Sequence, residues 1–145
     1  HVLASLIRRF YEAKLKNKKE VTCWGTGSPR REFLYVDDLA EASLFVLENW
    51  NLESNSSPRD TKGELLSFLN VGTGKDISIK DLAELIADLV GFNGLIRWDE
   101  SKPNGTPKKL LDITRINKMG WKAKIKLKDG LISAIESFKK ESLIN

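Results

Sequence analysis

The sequence has one cysteine, one histidine, and no apolar run approaching the roughly 20 residues needed to span a bilayer. Cys23 alone cannot close an internal disulfide, and with His1 it supplies too few ligands for a zinc site, so no metal is expected. Both features fit a reducing, cytoplasmic setting. The opening segment, His-Val-Leu-Ala-Ser-Leu-Ile-Arg-Arg-Phe, is apolar only in its spacing and carries two arginines, which excludes a signal peptide. No strand–GxGxxG–helix unit is present, so the chain has no dinucleotide fingerprint of its own. Gly72-Thr-Gly74 comes closest, but it lacks the third glycine and reads as a turn that ends a strand. Internal repeats and low-complexity segments are also absent. A natural chain begins with Met, whereas here a helical pattern starts at once behind His1, which reads as a fragment.

What is present describes one ordinary globular domain. The 41% hydrophobic and 30% charged content is enough apolar material for a core and argues against disorder. The net charge of +4 is bunched at Lys14–Lys19 and Lys122–Lys128, with no stacking aromatics between the lysines. Nucleic acid is therefore not the expected partner, and nor is a membrane.

Periodicity predicts a helix over 2–16, with Leu3, Leu6, Ile7 and Phe10 on one face. Short strands are predicted at Val21–Trp24, Glu32–Val36, Leu66–Val71 and Leu95–Trp98. Asp37 or Asp38 is expected to cap a helix reaching Glu48, apolar nearly all round and so buried on more than one side. Residues 49–65 read as a surface loop. Ser78 should cap the next helix, with Leu82, Leu85, Ile86 and Leu89 as its buried stripe and Gly91 as its stop. Residues 102–105 read as a turn, Asp112 as the cap of a short helix ending at Gly120, and Leu131, Ile135 and Phe138 as the inner face of the last helix. Strands mixed with helices make the fold class α/β.

Three cationic doublets could serve an anionic ligand: Arg8 and Arg9, Arg30 and Arg31, Lys108 and Lys109. Arginine's planar fork matches phosphate oxygens and lysine adds a point charge, so converging doublets would make a pyrophosphate site. Composition does not show convergence, and solvated surface charge is the plainer reading. Trp24 closes a strand before a glycine-rich turn, where its ring is suited either to stacking or to packing. His1 is a candidate proton-transfer group. Cys23 reads as a small buried hydrophobe rather than a nucleophile.

Four segments occur in order: the opening ten residues, Trp24-Gly-Thr-Gly-Ser-Pro-Arg-Arg-Glu-Phe-Leu-Tyr-Val-Asp-Asp-Leu-Ala, Asn70-Val-Gly-Thr-Gly, and Lys102-Pro-Asn-Gly-Thr-Pro-Lys-Lys-Leu-Leu-Asp. Together they resemble the C-terminal half of the GDP-L-fucose synthase family, which are extended short-chain dehydrogenases/reductases of the NAD(P)-binding Rossmann-fold superfamily. The Arg-Glu-Phe-Leu-x-Val-Asp-Asp stretch alone would indicate only the sugar-nucleotide epimerase/dehydratase superfamily, and the run from Ser101 to Asp112 narrows it.

The resemblance implies that residues 1–145 are a sugar-nucleotide (substrate) binding domain whose N-terminal Rossmann half is missing. The whole enzyme would convert GDP-4-keto-6-deoxy-D-mannose to GDP-L-fucose by epimerisation at C3 and C5 and reduction at C4 with NADPH. Carried over, His1 matches the acid/base histidine, which also meets the cofactor. Arg9, Trp24, Arg31 and Lys109 match residues that hold the GDP-sugar. Asn104 falls where many members have Asp, and so offers a donor as well as an acceptor. NADP would be held mainly by the missing half, and the full enzyme would be a homodimer. The glycine-rich NADP loop, the Ser and Tyr-x-x-x-Lys residues and the epimerisation cysteine would all lie upstream of His1, leaving the isolated chain inactive. The alternatives are another nucleotide-sugar epimerase/dehydratase of the superfamily, or a non-catalytic nucleotide-binding module.

Overall fold

The computed structural model describes residues 1–51 and 57–142. The chain forms two compact units, one built from residues 1–31, 76–109 and 128 onward, the other from 32–75 and 110–127. Helices and short strands alternate throughout, in agreement with the α/β expectation. No helix among the described residues is long and apolar enough to cross a membrane.

In the first unit, α1 (Val2–Leu15) turns Leu6, Ile7, Phe10 and Ala13 inward, the 3.6-residue stripe its sequence predicts. It packs on α3 (Ile79–Val90), which buries Leu82, Ala83, Ile86, Ala87 and Val90. Beneath them β1 (Glu20–Trp24) pairs in parallel with β4 (Leu95–Asp99), from Glu20 opposite Leu95 to Trp24 opposite Asp99. Val21 and Cys23 are the inward residues of β1, and burial pushes the Cys23 thiol's pKa up, against a smaller opposing pull from Arg9. Cys23 is thus the small core hydrophobe that its neighbours suggest. Helix α5 (Leu127–Ser142) adds Leu131 and Ile135 to the core, and its Phe138 ring meets Tyr11 edge-on at 5.7 Å.

Helix α3 begins and ends as its sequence predicts. The Ser78 side chain accepts the Asp81 N–H at 3.0 Å. At the other end Gly91, at φ +79°, donates to the carbonyl of Asp88, and Phe92 N donates to Ala87, the paired bonds of a Schellman turn. Lys14 Nζ reaches across from α1 to the Val90 carbonyl at 2.9 Å, placing a cation at the negative end of α3.

A second sheet in this unit has the order β3 (Asp76–Ser78), β2 (Arg30–Glu32), β5 (Lys108–Lys109). The strand predicted at Glu32–Val36 is therefore displaced toward the N-terminus. Arg30 N donates to Pro107 O and starts the parallel pairing with β5, while Leu34 leaves the sheet to join the core of the other unit. Strands β3 and β5 carry no apolar alternation, and their sequences read as turn and surface charge.

The second unit centres on Ala42 of α2 (Val36–Asn49), Ile116 of α4 (Thr114–Met119) and Trp121, flanked by Leu34, Phe45, Val46, Val71, Ile113 and Ala123. Two expectations about α2 fail. Neither Asp37 nor Asp38 caps it, because Tyr35 is the N-cap residue and both aspartates lie in the first turn. Asp38 is buried, and its carboxylate accepts the backbone N–H groups of Lys124 (3.1 Å) and Ile125 (2.9 Å). Nor is the helix buried all round: Val36, Leu39, Leu44 and Leu47 form an exposed stripe, with Leu47 80% accessible.

No strand forms at Leu66–Val71. Arg59 and Leu65 make an isolated bridge, Phe68 is exposed, and only Val71 of this run reaches the core cluster. Part of the predicted 49–65 loop lies outside the described residues. Asp112 accepts Thr114 N at 2.9 Å, but Ile113 is the N-cap of α4, one residue later than the predicted cap. Gly120, at φ +110°, ends that helix as expected.

Glu32 ties this unit together. Its Oε1 accepts Thr73 N and Gly74 N, both at 2.5 Å, while Oε2 accepts Leu111 N at 3.0 Å. Gly72 is glycine because a Cβ there would sit 2.5 Å from the same carboxylate. Glu32→Ala would leave three backbone donors unpaired and is expected to lower stability by about 2 kcal/mol or more in urea unfolding, with Glu32→Gln losing less. Gly91→Ala, forced into the left-handed region, should cost about 1–2 kcal/mol in the same assay.

Candidate functional site

The six cations of the three doublets separate by what already holds them. Arg8 pairs with Glu12 one helical turn away at 2.6 Å. Arg9 donates to the Thr22 carbonyl and so links α1 to β1. Arg30 and Lys108 lie opposite each other on β2 and β5, and both reach Asp76, at 2.8 and 3.3 Å. Arg31 and Lys109 are the next register pair. Side chains alternate between the faces of a strand, so this second pair points away from the face on which Asp76 closes the first. Among the described residues neither Arg31 nor Lys109 has an acidic partner.

Two like charges side by side on neighbouring strands disfavour each other. The arrangement becomes favourable when an anion supplies the missing charge, and a diphosphate does so with oxygens that suit a guanidinium fork beside an ammonium.

Arg31 also forms part of the wall of a pocket of about 160 Å³ lined by Val2, Trp24, Gly27, Pro29, Arg31, Ile79 and Asn104. Trp24 is 68% exposed, and the Lys102 ammonium lies 5.8 Å from its ring centroid, so the ring is available for stacking in a cationic setting. Of the residues expected from the sequence, Trp24, Arg31 and Asn104 meet at this pocket, and Lys109 stands beside Arg31 on the adjoining strand. His1 and Arg9 are not in its wall. His1 is exposed at the start of α1, with its carbonyl accepting Ser5 N. Asp76, which sorts the doublets, was not singled out in the sequence, because a lone acid two residues ahead of a helix cap carries no local signal.

Two glycine turns resemble phosphate cradles in sequence. A Cβ at Gly27 would meet the Trp98 and Lys80 side chains at 2.7 and 2.9 Å, so that space is filled by protein. In the turn at 72–74, the N–H groups of Thr73 and Gly74 are spent on Glu32. The Thr73 and Gly74 amides of the second turn are thus unavailable to a dinucleotide's phosphates. No group of three or more potential metal ligands occurs among the described residues.

Residues 1–57 match the NAD dependent epimerase/dehydratase family. The chain is 51% identical over 132 residues to "Probable GDP-L-fucose synthase 1" of Oryza sativa subsp. japonica, covering 91% of this chain and 36% of that protein. It is 48% identical over 142 residues to "GDP-L-fucose synthase" of Escherichia coli K12, covering 95% and 42%.

The chain resembles the C-terminal part of the GDP-L-fucose synthases. Its fold is that of the C-terminal part of an extended short-chain dehydrogenase/reductase. A solved GDP-mannoheptose C4 reductase from Campylobacter jejuni with NADP bound superposes with a TM-score of 0.81 at 35% identity, covering 96% of this chain and 45% of that one. The chain thus spans about two fifths of the length of the synthases it matches.

The hydrogen bond from Arg30, followed by the contact with Lys108, holds the Asp76 carboxyl below its ordinary pKa, so its contribution to stability is full above the unfolded value of about 3.9 and is lost as pH falls through the lower folded value. Asp76→Asn is therefore expected to melt below the native protein at pH 7, with the gap closing below about pH 4. An equal gap at pH 7 and pH 2.5 in thermal scans would contradict this.

Proposed function

We propose that this chain is the sugar-nucleotide-binding part of an NADP-dependent epimerase/reductase that converts GDP-4-keto-6-deoxy-D-mannose to GDP-L-fucose. The observation that carries the reading is the pairing of Arg31 with Lys109 on the strand face away from Asp76, next to the pocket that Trp24 and Asn104 share. Arg31 and Lys109 neutralise the diphosphate, with Arg9 adding charge from α1. Trp24 packs a flat or apolar face of the ligand, and Asn104 contacts it from the 102–105 turn.

Epimerisation next to a ketone removes a proton from carbon, which needs a positioned base and a donor that stabilises the enolate. His1 would supply the acid/base group and meet the cofactor, both roles implied by the family resemblance. NADPH would supply the hydride for the C4 ketone and would be held mainly by the length of the relatives that this chain does not match, in keeping with the amides of the 72–74 turn being taken by Glu32. The full-length protein is read as a cytoplasmic homodimer.

The test is turnover of GDP-4-keto-6-deoxy-D-mannose with NADPH by the full-length protein, with GDP-L-fucose as the expected product. A different product would move it to another member of the superfamily, and GDP binding without turnover would make it a binding module. Arg31→Ala and Lys109→Ala should each weaken GDP binding about tenfold or more, since a charge-assisted hydrogen bond contributes about 1.5–3 kcal/mol. Calorimetric titration reads this, and Arg30→Ala should lower the melting temperature instead.

A further inference from the structure

The lysines bunched at 14–19 border a depression of about 390 Å³ in the first unit, which Lys14, Lys18 and Lys19 line together with Asn17, Asn93 and Leu95. It lies at the start of β1 and β4, where Lys19 O accepts Leu95 N at 2.8 Å. Trp24 and Asp99 close the same two strands at their other end, roughly 13 Å away at about 3.3 Å per residue, so this depression is separate from the Trp24 pocket. Gly94 lets the chain close on Lys19, since a Cβ there would stand 2.6 Å from that carbonyl. No acidic residue lines the wall.

Two helices end here in the same way. Asn17, at φ +49°, donates to Lys14 O, and Lys18 N donates to Ala13 O, the same pair of bonds that Gly91 and Phe92 make at the end of α3. The closing carbonyls of both helices are therefore largely taken by backbone donors, and Val90 O takes the Lys14 ammonium. A helix C-terminus ordinarily attracts cations, but that need is met here without Lys18 or Lys19. Among the described residues neither of these lysines makes an ion pair. The acids nearest them in sequence, Glu12 and Glu20, are held instead by Arg8 at 2.6 Å and Arg97 at 2.5 Å. Two uncompensated ammonium groups thus share a concave, acid-free wall with two carboxamides.

We propose that this depression binds a small di- or polyphosphate, with Lys18 and Lys19 as its main contacts and Asn17 and Asn93 as further donors. A carboxylate's single charge would leave one ammonium uncompensated, whereas a diphosphate carries charge enough for both. The proposal does not depend on the sugar-nucleotide reading.

Calorimetric titration of the full-length protein with inorganic pyrophosphate tests it, in an Arg31→Ala, Lys109→Ala background that removes the cations beside the Trp24 pocket. Pyrophosphate should still bind this background. Adding Lys18→Gln with Lys19→Gln should weaken binding about tenfold or more, since each ammonium lost near a solvated surface costs roughly threefold to fivefold. Lys18→Arg with Lys19→Arg should retain binding. Lys122→Gln with Lys126→Gln removes the same net charge elsewhere and should change affinity by less than about twofold. No binding by the background, or unchanged affinity without Lys18 and Lys19, would overturn the proposal. Equal losses from the two glutamine pairs would overturn it as well, by reducing the effect to the net charge of the protein.

Discussion

The register between β2 and β5 is the constraint on which the site depends. Both strands are too short to be held by their own ladder, with two residue pairs in all. What links them is Asp76 on the third strand, whose carboxylate takes one cation from each of the other two strands. Because side chains alternate, closing Arg30 and Lys108 on one face commits Arg31 and Lys109 to the other. A one-residue slip of β2 would turn Arg31 to the Asp76 face and leave the pocket without its arginine. The ion pairs around Asp76 are partly exposed and add little to stability by themselves. Their larger effect is to choose which member of the Arg30–Arg31 and Lys108–Lys109 doublets is left without an acidic partner.

The helices were legible because their signals are local. Ser78 and Gly91 mark the ends of α3, and the stripe from Leu82 to Val90 marks its buried face. The second sheet was hidden because its order comes from contacts remote in sequence: β3 and β5 are polar, and nothing near Asp76 announces that it meets residues 46 and 32 positions away. Leu66–Val71 misled in the opposite direction, since its apolar residues neither alternate in burial nor pair, and only Val71 is anchored. The leucine-rich α2 shows that apolar composition does not establish burial. For the site, the residues sorted as Trp24, Arg31 and Asn104 come together, but it was the family resemblance that chose Arg31 over Arg30. Doublet composition alone is symmetric between them.

Two carboxylates act as structural anions in the second unit. Asp38 and Glu32 both accept backbone N–H groups from segments far along the chain, with Glu32 occupying the amides of the 72–74 turn. The Arg-Glu-Phe-Leu-Tyr-Val-Asp-Asp stretch therefore does more than mark a helix start. Its arginine lines the pocket beside Trp24 while its two structural acids fasten backbone, and Asp38 in particular exchanges the role of cap for that of a buried acceptor.

The separation of paired from unpaired cations has a consequence for how the molecule responds to salt. Arg31 and Lys109 would attract an anion through charges open to water, and such attraction fades as the screening length shrinks to about 8 Å at physiological ionic strength and further beyond it. Glu32 and Asp38 hold peptide groups by short, directed bonds that mobile ions scarcely reach. Rising salt would thus empty the site well before it loosened the scaffold, so ligand occupancy and folding would answer to different ranges of the same variable.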